Sequence, residues 1–229
     1  MTWGDWAGLG GVLFLGAAAL LAPYVAEVLK RRFLSAELRV RFEHKPPWCH
    51  RTKMQRRHED GRVDEAPTYY FNFSVYNCGK SRAHSCEAII EELWEADNTE
   101  NYHRNERFWP INLKWETGEQ FAEINPKRQL FAAIGHISHP QYQAKYEKSY
   151  SAVIEHSDTR LRFTLELYRG YFALPDSLFP GRHRLKVAIV GENFPRLEEW
   201  FELTWTGNWK DEEQDMLREA VLTLLQNCG

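Results

Sequence analysis

Between residues 49 and 86 the chain gathers Cys49, His50, His58, Cys78, His84 and Cys86, side chains of the types that hold zinc. Structural zinc needs paired ligands a few residues apart, so that two donors converge on one ion. Here the close pairs are adjacent (Cys49-His50) or separated by one residue (His84 and Cys86). Adjacent residues on an extended strand point to opposite faces, so no metal and no cofactor is expected, and Cys86 reads as a core residue. His136 and His139 lie beside Pro140 and read as ordinary surface histidines. The acid pairs Glu91-Glu92 and Glu198-Glu199 diverge in the same way and read as solvated edges. Neither a Gly-x-Ser-x-Gly elbow, nor a His-Glu-x-x-His pair, nor a phosphate-cradling glycine loop is present. No catalysis is expected.

Two clusters suit binding better. Arg51, Lys53, Arg56 and Arg57 form a basic run followed by the acids Glu59, Asp60, Asp64 and Glu65. Near anionic lipid each cation contributes about 1 kcal/mol, so a lipid surface or an acidic partner is the chemistry this run suits. Nucleic acid is not expected, because exposed aromatics are not interleaved with the cations. Tyr102, Arg104, Arg107, Phe108 and Trp109 lie in a polar stretch from Ala96 to Phe108 and its border, and combine the residue types that dominate interface hot spots. They are the expected partner-binding residues.

The elements that position these groups read as strands. Leu38, Val40 and Phe42 alternate with charged residues, as do Tyr69, Phe71, Phe73 and Val75 with Tyr70, Asn72, Ser74 and Tyr76. The same period of two runs through Leu161–Leu167, Leu185–Ile189 and Phe201–Trp205, with weaker strands near Cys86–Trp94 and Gln129–Ile137. Alternation of this kind buries one face of an antiparallel sheet. Turn signals at Asn77–Lys80, Asn125-Pro126, Pro180-Gly181 and Gly191–Asn193 separate the runs. About seven strands predict a mainly β, Ig-like antiparallel β-sandwich over residues 33–209, without the Cys…Trp…Cys spacing of antibody domains. Phe42–Thr68 and Ala96–Phe108 are expected as long loops. From 210 to 229, Met216, Leu217, Ala220, Val221, Leu224 and Leu225 share one helical face behind acidic Asp211, Glu212 and Glu213, which predicts a short amphipathic C-terminal helix.

Ahead of the sandwich, Trp6–Ala26 carries no charged residue over 21 positions. As a helix this spans about 31 Å, the thickness of a bilayer core. Trp3, Trp6 and Tyr24 suit the two interfaces, and Lys30, Arg31 and Arg32 follow as a basic stop facing the lipid surface. Residues 1–32 therefore read as an uncleaved single-pass transmembrane anchor. With Arg39 and Arg41 also following it and no cation preceding it, the downstream domain is expected on the cytoplasmic side of the cell membrane. Cys49, Cys78, Cys86 and Cys228 show no disulfide framework, which agrees. Gly4 and Gly8, and Ala7 and Gly11, recur at a spacing that lets two membrane helices approach, so a homo-oligomer through this face is one option. A net charge of −3 gives no overall pull toward nucleic acid.

The run Val75-Tyr76-Asn77-Cys78-Gly79-Lys80-Ser81-Arg82-Ala83 resembles the strand-and-turn unit of Ig-like modules from bacteria and archaea. The segment Pro180–Val187, then Gly191-Glu192-Asn193, then Trp200–Trp209, looks like the closing half of uncharacterised prokaryotic single-pass membrane proteins. The resemblance covers residues 68–216. It implies a sandwich behind an anchor and carries no active site, so no functional residue transfers with it. The resulting expectation is a membrane-anchored protein-interaction module that binds an unidentified protein partner. A ligand-sensing domain that signals through the helix, and a structural homo-oligomer, are the alternatives.

Overall fold

The computed structural model describes residues 22–24, 35–142, 163–167 and 177–225. The expected anchor, its small-residue face (Gly4, Ala7, Gly8, Gly11) and the stop Lys30, Arg31 and Arg32 lie outside the described residues, apart from helical Ala22–Tyr24. Among the described residues no helix is long and apolar enough to cross a membrane.

The strands are β1 (Leu38–Arg41), β2 (Cys49–Arg57), β3 (Val63–Asn77), β4 (Ala83–Ala96), β5 (Tyr102–Arg104), β6 (Ile111–Asn112), β7 (Lys114–Trp115) and β8 (Ala122–Ile124). They continue as β9 (Gln129–Ser138), β10 (Phe163–Leu165), β11 (Ser177–Leu178), β12 (Gly181–Val190), β13 (Leu197–Trp205) and, after helix α1 (Glu213–Glu219), β14 (Ala220–Leu225). Two antiparallel sheets form a β-sandwich. The first runs β11-β10-β9-β3, and β1 and β2 share the other edge of β3. The second runs β14-β13-β12-β4, and β5, β6 and β8 share the other edge of β4.

The alternation read from the sequence explains why these strands pack. Tyr69, Phe71, Phe73 and Val75 of β3 are fully buried, and so are Leu185, Ile189, Phe201 and Leu203 from the opposite sheet. The Phe73 and Phe201 rings meet at 5.4 Å, and Phe42 sits edge-on to Phe201 at 5.8 Å. Each such side chain contributes about 1.5–3 kcal/mol by leaving water. The chain changes sheet at Leu113: Ile111 and Asn112 pair with β4, whereas Lys114 and Trp115 pair with β9. Buried Trp115 keeps its indole N–H satisfied by donating to the carbonyls of Cys86 (3.0 Å) and Gln120 (3.1 Å).

Three expectations about organisation are corrected. The C-terminal helix is only Glu213–Glu219. Ala220–Leu225 instead pairs along β13, from Trp205↔Ala220 to Trp200↔Leu225. Buried Ala220 and Leu222 follow a period of two, and pairing with the sheet edge overrides a helical spacing that the same residues also satisfy. The Phe42–Thr68 loop is mostly a hairpin of β2 and the start of β3. The Ala96–Phe108 loop holds β5, which folds back onto the end of β4 through a turn where Asp97 accepts from the Thr99 and Asn101 amides.

Candidate interaction surface: a basic edge strand

The described chain joins the sandwich at one end. Ala36 donates to the Asn193 carbonyl at 3.0 Å, the Cys78 amide donates to Glu37 at 2.8 Å, and Leu38 pairs with Asn77. Asn77 is fully buried, and its side chain ties the turn after β3 to β8. Its Nδ2 donates to the Ser81 and Ile124 carbonyls, both at 2.8 Å, and its Oδ1 accepts from the Gly79 amide at 3.0 Å. Gly79 is required by close approach, because a Cβ there would lie 2.5 Å from the Glu37 nitrogen.

At the other end of β3 the hairpin projects. Pairing between β3 and β9 stops at Thr68↔Ser138, with the Pro67 carbonyl still accepting from the His139 amide at 2.9 Å, so Val63–Ala66 pairs with β2 alone. From Asn77 back to Asp64, which opposes Arg56, the strand covers roughly 40 Å at about 3.3 Å per residue. Lys53, Arg56 and Arg57 are exposed on this arm, and Arg51 is exposed just before it, opposite Tyr69. Parity splits them: Arg51, Lys53 and Arg57 share one face, whereas Arg56 belongs to the other with His50, Thr52 and Met54. Lys53 pairs with Glu65 at 3.0 Å and Gln55 donates to the same carboxylate at 2.7 Å. These bonds hold the Glu65 carboxyl below the ordinary carboxylate range. His58 meets Asp64 at 3.0 Å, and Arg62 meets Asp60 at 2.6 Å.

The backbone of β2 is as informative as its side chains. The Asn72 amide donates to the Trp48 carbonyl, so the even-numbered residues of β2 bond to β3 and the odd-numbered ones direct their N–H and C=O groups outward. Two of those outward groups are engaged: the Cys49 amide donates to the Lys45 carbonyl at 3.0 Å, and the Arg51 amide donates to Glu213 Oε1 of α1 at 3.3 Å.

The five residues expected to bind a partner do not form one patch. Tyr102 donates its hydroxyl to Glu202 Oε2 at 2.8 Å, under the Arg184 guanidinium 3.8 Å from the ring centre. Arg184 and Arg182 also donate to Glu202, at 2.9 and 3.1 Å. Burial pushes the Tyr102 hydroxyl up, helped by its bond to Glu202. Burial opposes ionisation of Glu202, yet the bonds from Arg184, Tyr102 and Arg182 prevail and its carboxyl stays low. Arg104 lies 3.9 Å from Glu92, Arg107 is exposed, Phe108 is in the core at 7% exposure, and Trp109 stands 68% exposed. Arg182, Arg184, Glu202 and Glu213 were not read as site residues. Their only sequence signal is an outward position on an alternating strand or at a helix start.

The remaining candidates are structural. Cys49 and Cys86 are buried, and burial pushes both thiols up to about 12. His50 stacks on Tyr70 at 6.2 Å, and His84 meets Glu123 at 3.2 Å. Among the described residues no three His, Cys, Asp or Glu side chains are grouped to hold a metal. His136 is corrected from surface to interior: it is 6% exposed, packs on Tyr70 at 5.3 Å and is hydrogen-bonded to Glu166. Burial works against ionisation of Glu166, but the His136 bond and the His136 and Lys114 charges hold it low. One member of each acid pair is neutralised, as Lys186 meets Glu198 at 3.0 Å and Glu91 at 3.8 Å, whereas burial pushes the Glu199 carboxyl up. Arg196 bridges the same two carboxylates.

Comparison with family models, with curated proteins and with solved structures returned no match.

Proposed function

We propose that the chain is a membrane-tethered binding module. Trp6–Ala26 is its single-pass anchor, Lys30, Arg31 and Arg32 face the cytoplasmic lipid surface, and an Ig-like sandwich displays a partner-binding end without catalysis. The connectivity favours the Ig-like reading: β3 crosses to β4 in the opposite sheet, β9 returns beside β3, and β12 and β13 line up beside β4. The observation that carries the display reading is the separation of the two ends. The chain joins the sandwich beside Asn77, and the basic arm lies roughly 40 Å away along β3. An anchor ending at the basic stop Lys30–Arg32, three residues ahead of Ser35, brings Asn77 near the bilayer and leaves Arg51, Lys53, Arg56 and Arg57 further from it. This favours an acidic macromolecule over lipid for those four residues.

The test places a fluorophore on Lys80→Cys or on Glu59→Cys in the full-length protein in vesicles, with Cys78 and Cys228 replaced by serine. A lipid-soluble quencher should dim the Lys80 site strongly and the Glu59 site little. Equal quenching of both, or loss of the protein from the membrane fraction, overturns the reading.

A further inference from the structure

We propose that the outer edge of β2 is a docking site for an extended acidic segment of a partner protein, which adds to the first sheet as a further strand. This deepens the binding-module reading and rests on it. Three observations converge. Arg51, Lys53, Gln55 and Arg57 direct backbone donors and acceptors outward along an exposed strand that, among the described residues, pairs only with β3. An unpaired ladder of this kind is what strand addition uses for affinity, with alternate side chains supplying selectivity.

The charge on that edge then selects the occupant. Arg51, Lys53 and Arg57 fall on one face, at the period-two spacing of a neighbouring strand's side chains. Lys53 is compensated by Glu65, whereas Arg51 and Arg57 have no ion pair among the described residues. A second copy of β2 would bring like charges face to face, which is destabilising across a ladder. An acidic strand would place carboxylates opposite them instead. The edge also already holds a carboxylate of its own chain, since Glu213 accepts the Arg51 amide at 3.3 Å. In the free protein Glu213 occupies the first position of the ladder, and an incoming acidic strand displaces it.

The experiment uses full-length protein in uncharged vesicles and two fluorescent peptides of equal charge, one of Glu-Val repeats and one of Glu-Pro repeats, followed by anisotropy. Proline lacks the N–H that a ladder needs, so the Glu-Val peptide should bind at least about tenfold more tightly. Arg51→Gln with Arg57→Gln should weaken the Glu-Val peptide by about tenfold or more. Glu213→Gln, which weakens the internal competitor, should tighten it by about two- to threefold. Equal binding of the two peptides, or indifference to the double variant, overturns the proposal. Binding of phosphatidylserine vesicles that displaces the peptide and is lost in the same double variant reassigns the edge to lipid and overturns it too. Absence of peptide binding while Glu59 stays unquenched sinks the docking edge alone. Peptide binding with Glu59 quenched preserves the edge and sinks the display geometry.

Discussion

At the end of the sandwich where the chain arrives, Asn77 is fully buried and its amide is bonded to three backbone groups. Toward the opposite end Arg51 and Arg57 stand in water on β2, whose one buried side chain is Cys49 at its start. The two regions use polar residues for different purposes. A buried amide with all its bonds made is retained because removing it strands its partners. An exposed cation adds little to folding and keeps its charge for something outside the molecule. Stability and binding should therefore separate by position along β3.

The largest effect that would test this separation is Asn77→Leu. The substitution leaves the Ser81 and Ile124 carbonyls and the Gly79 amide without their buried partner. A cost of about 3 kcal/mol is expected, read as a melting temperature lower by about 6–12 °C. An unchanged melting temperature would mean that the end where the chain joins the sandwich is not held by this hub, and the contrast would collapse.

Glu202→Gln probes the far end where it is partly buried. The carboxylate is 17% exposed and accepts from Tyr102, Arg182 and Arg184. Loss of its charge should cost about 1–2 kcal/mol, because hydrogen bonds to an ionised group are the stronger ones. Urea denaturation of the variant reads this directly. A cost as large as that of Asn77→Leu would show that the far end, too, is built for stability.

How much of this was legible depended on whether one face of a strand is buried. β3, β12 and β13 could be read from alternation because the opposing sheet dries one side of each. β2 is unreadable because between Arg51 and Arg57 only Met54 is even half-buried, so the segment shows no apolar period and reads as a loop. The two-residue strands β6 and β7 are too short to carry a period, and they switch sheets at Leu113. Tyr102 was singled out from its type, but its partners Arg182, Arg184 and Glu202 come from β12 and β13, and only the fold brings them together. Phe108 and Trp109 share a hot-spot composition yet face opposite ways, one into the core and one into water. Composition could not separate neighbours that the backbone divides.

A smaller, pH-dependent effect should sharpen the account of the far end. His183, at the start of β12, is 5% exposed. One ring nitrogen lies 2.8 Å from the Phe179 carbonyl, and the other, Nδ1, has no hydrogen-bond partner among the described residues, with Glu95 at 4.0 Å. Burial pushes this histidine below its ordinary value of 6.5, so the fold prefers it neutral. Its contribution is fully present above that value and declines as pH falls below it, because the unfolded chain takes the proton first. Between pH 7.5 and 5.5 the wild type should lose more stability in urea than His183→Asn does. Equal losses would show that His183 is not held neutral.

The smallest effect on stability is the most discriminating one. Arg51→Gln with Arg57→Gln should leave the melting temperature within about 2 °C of wild type, since surface substitutions that break no buried partnership rarely move it further. Both side chains lie where β2 has no second strand beside it, and the Arg51 contact with Glu213 is made by the backbone amide, which glutamine keeps. The same two changes are expected to have the largest effect on the acidic peptide. A double variant that melts far below wild type would mean that the cations brace the arm, and any loss of peptide binding would then be a loss of structure. A variant that melts normally and no longer binds would place the two charges outside the folding problem, as charges kept for a partner.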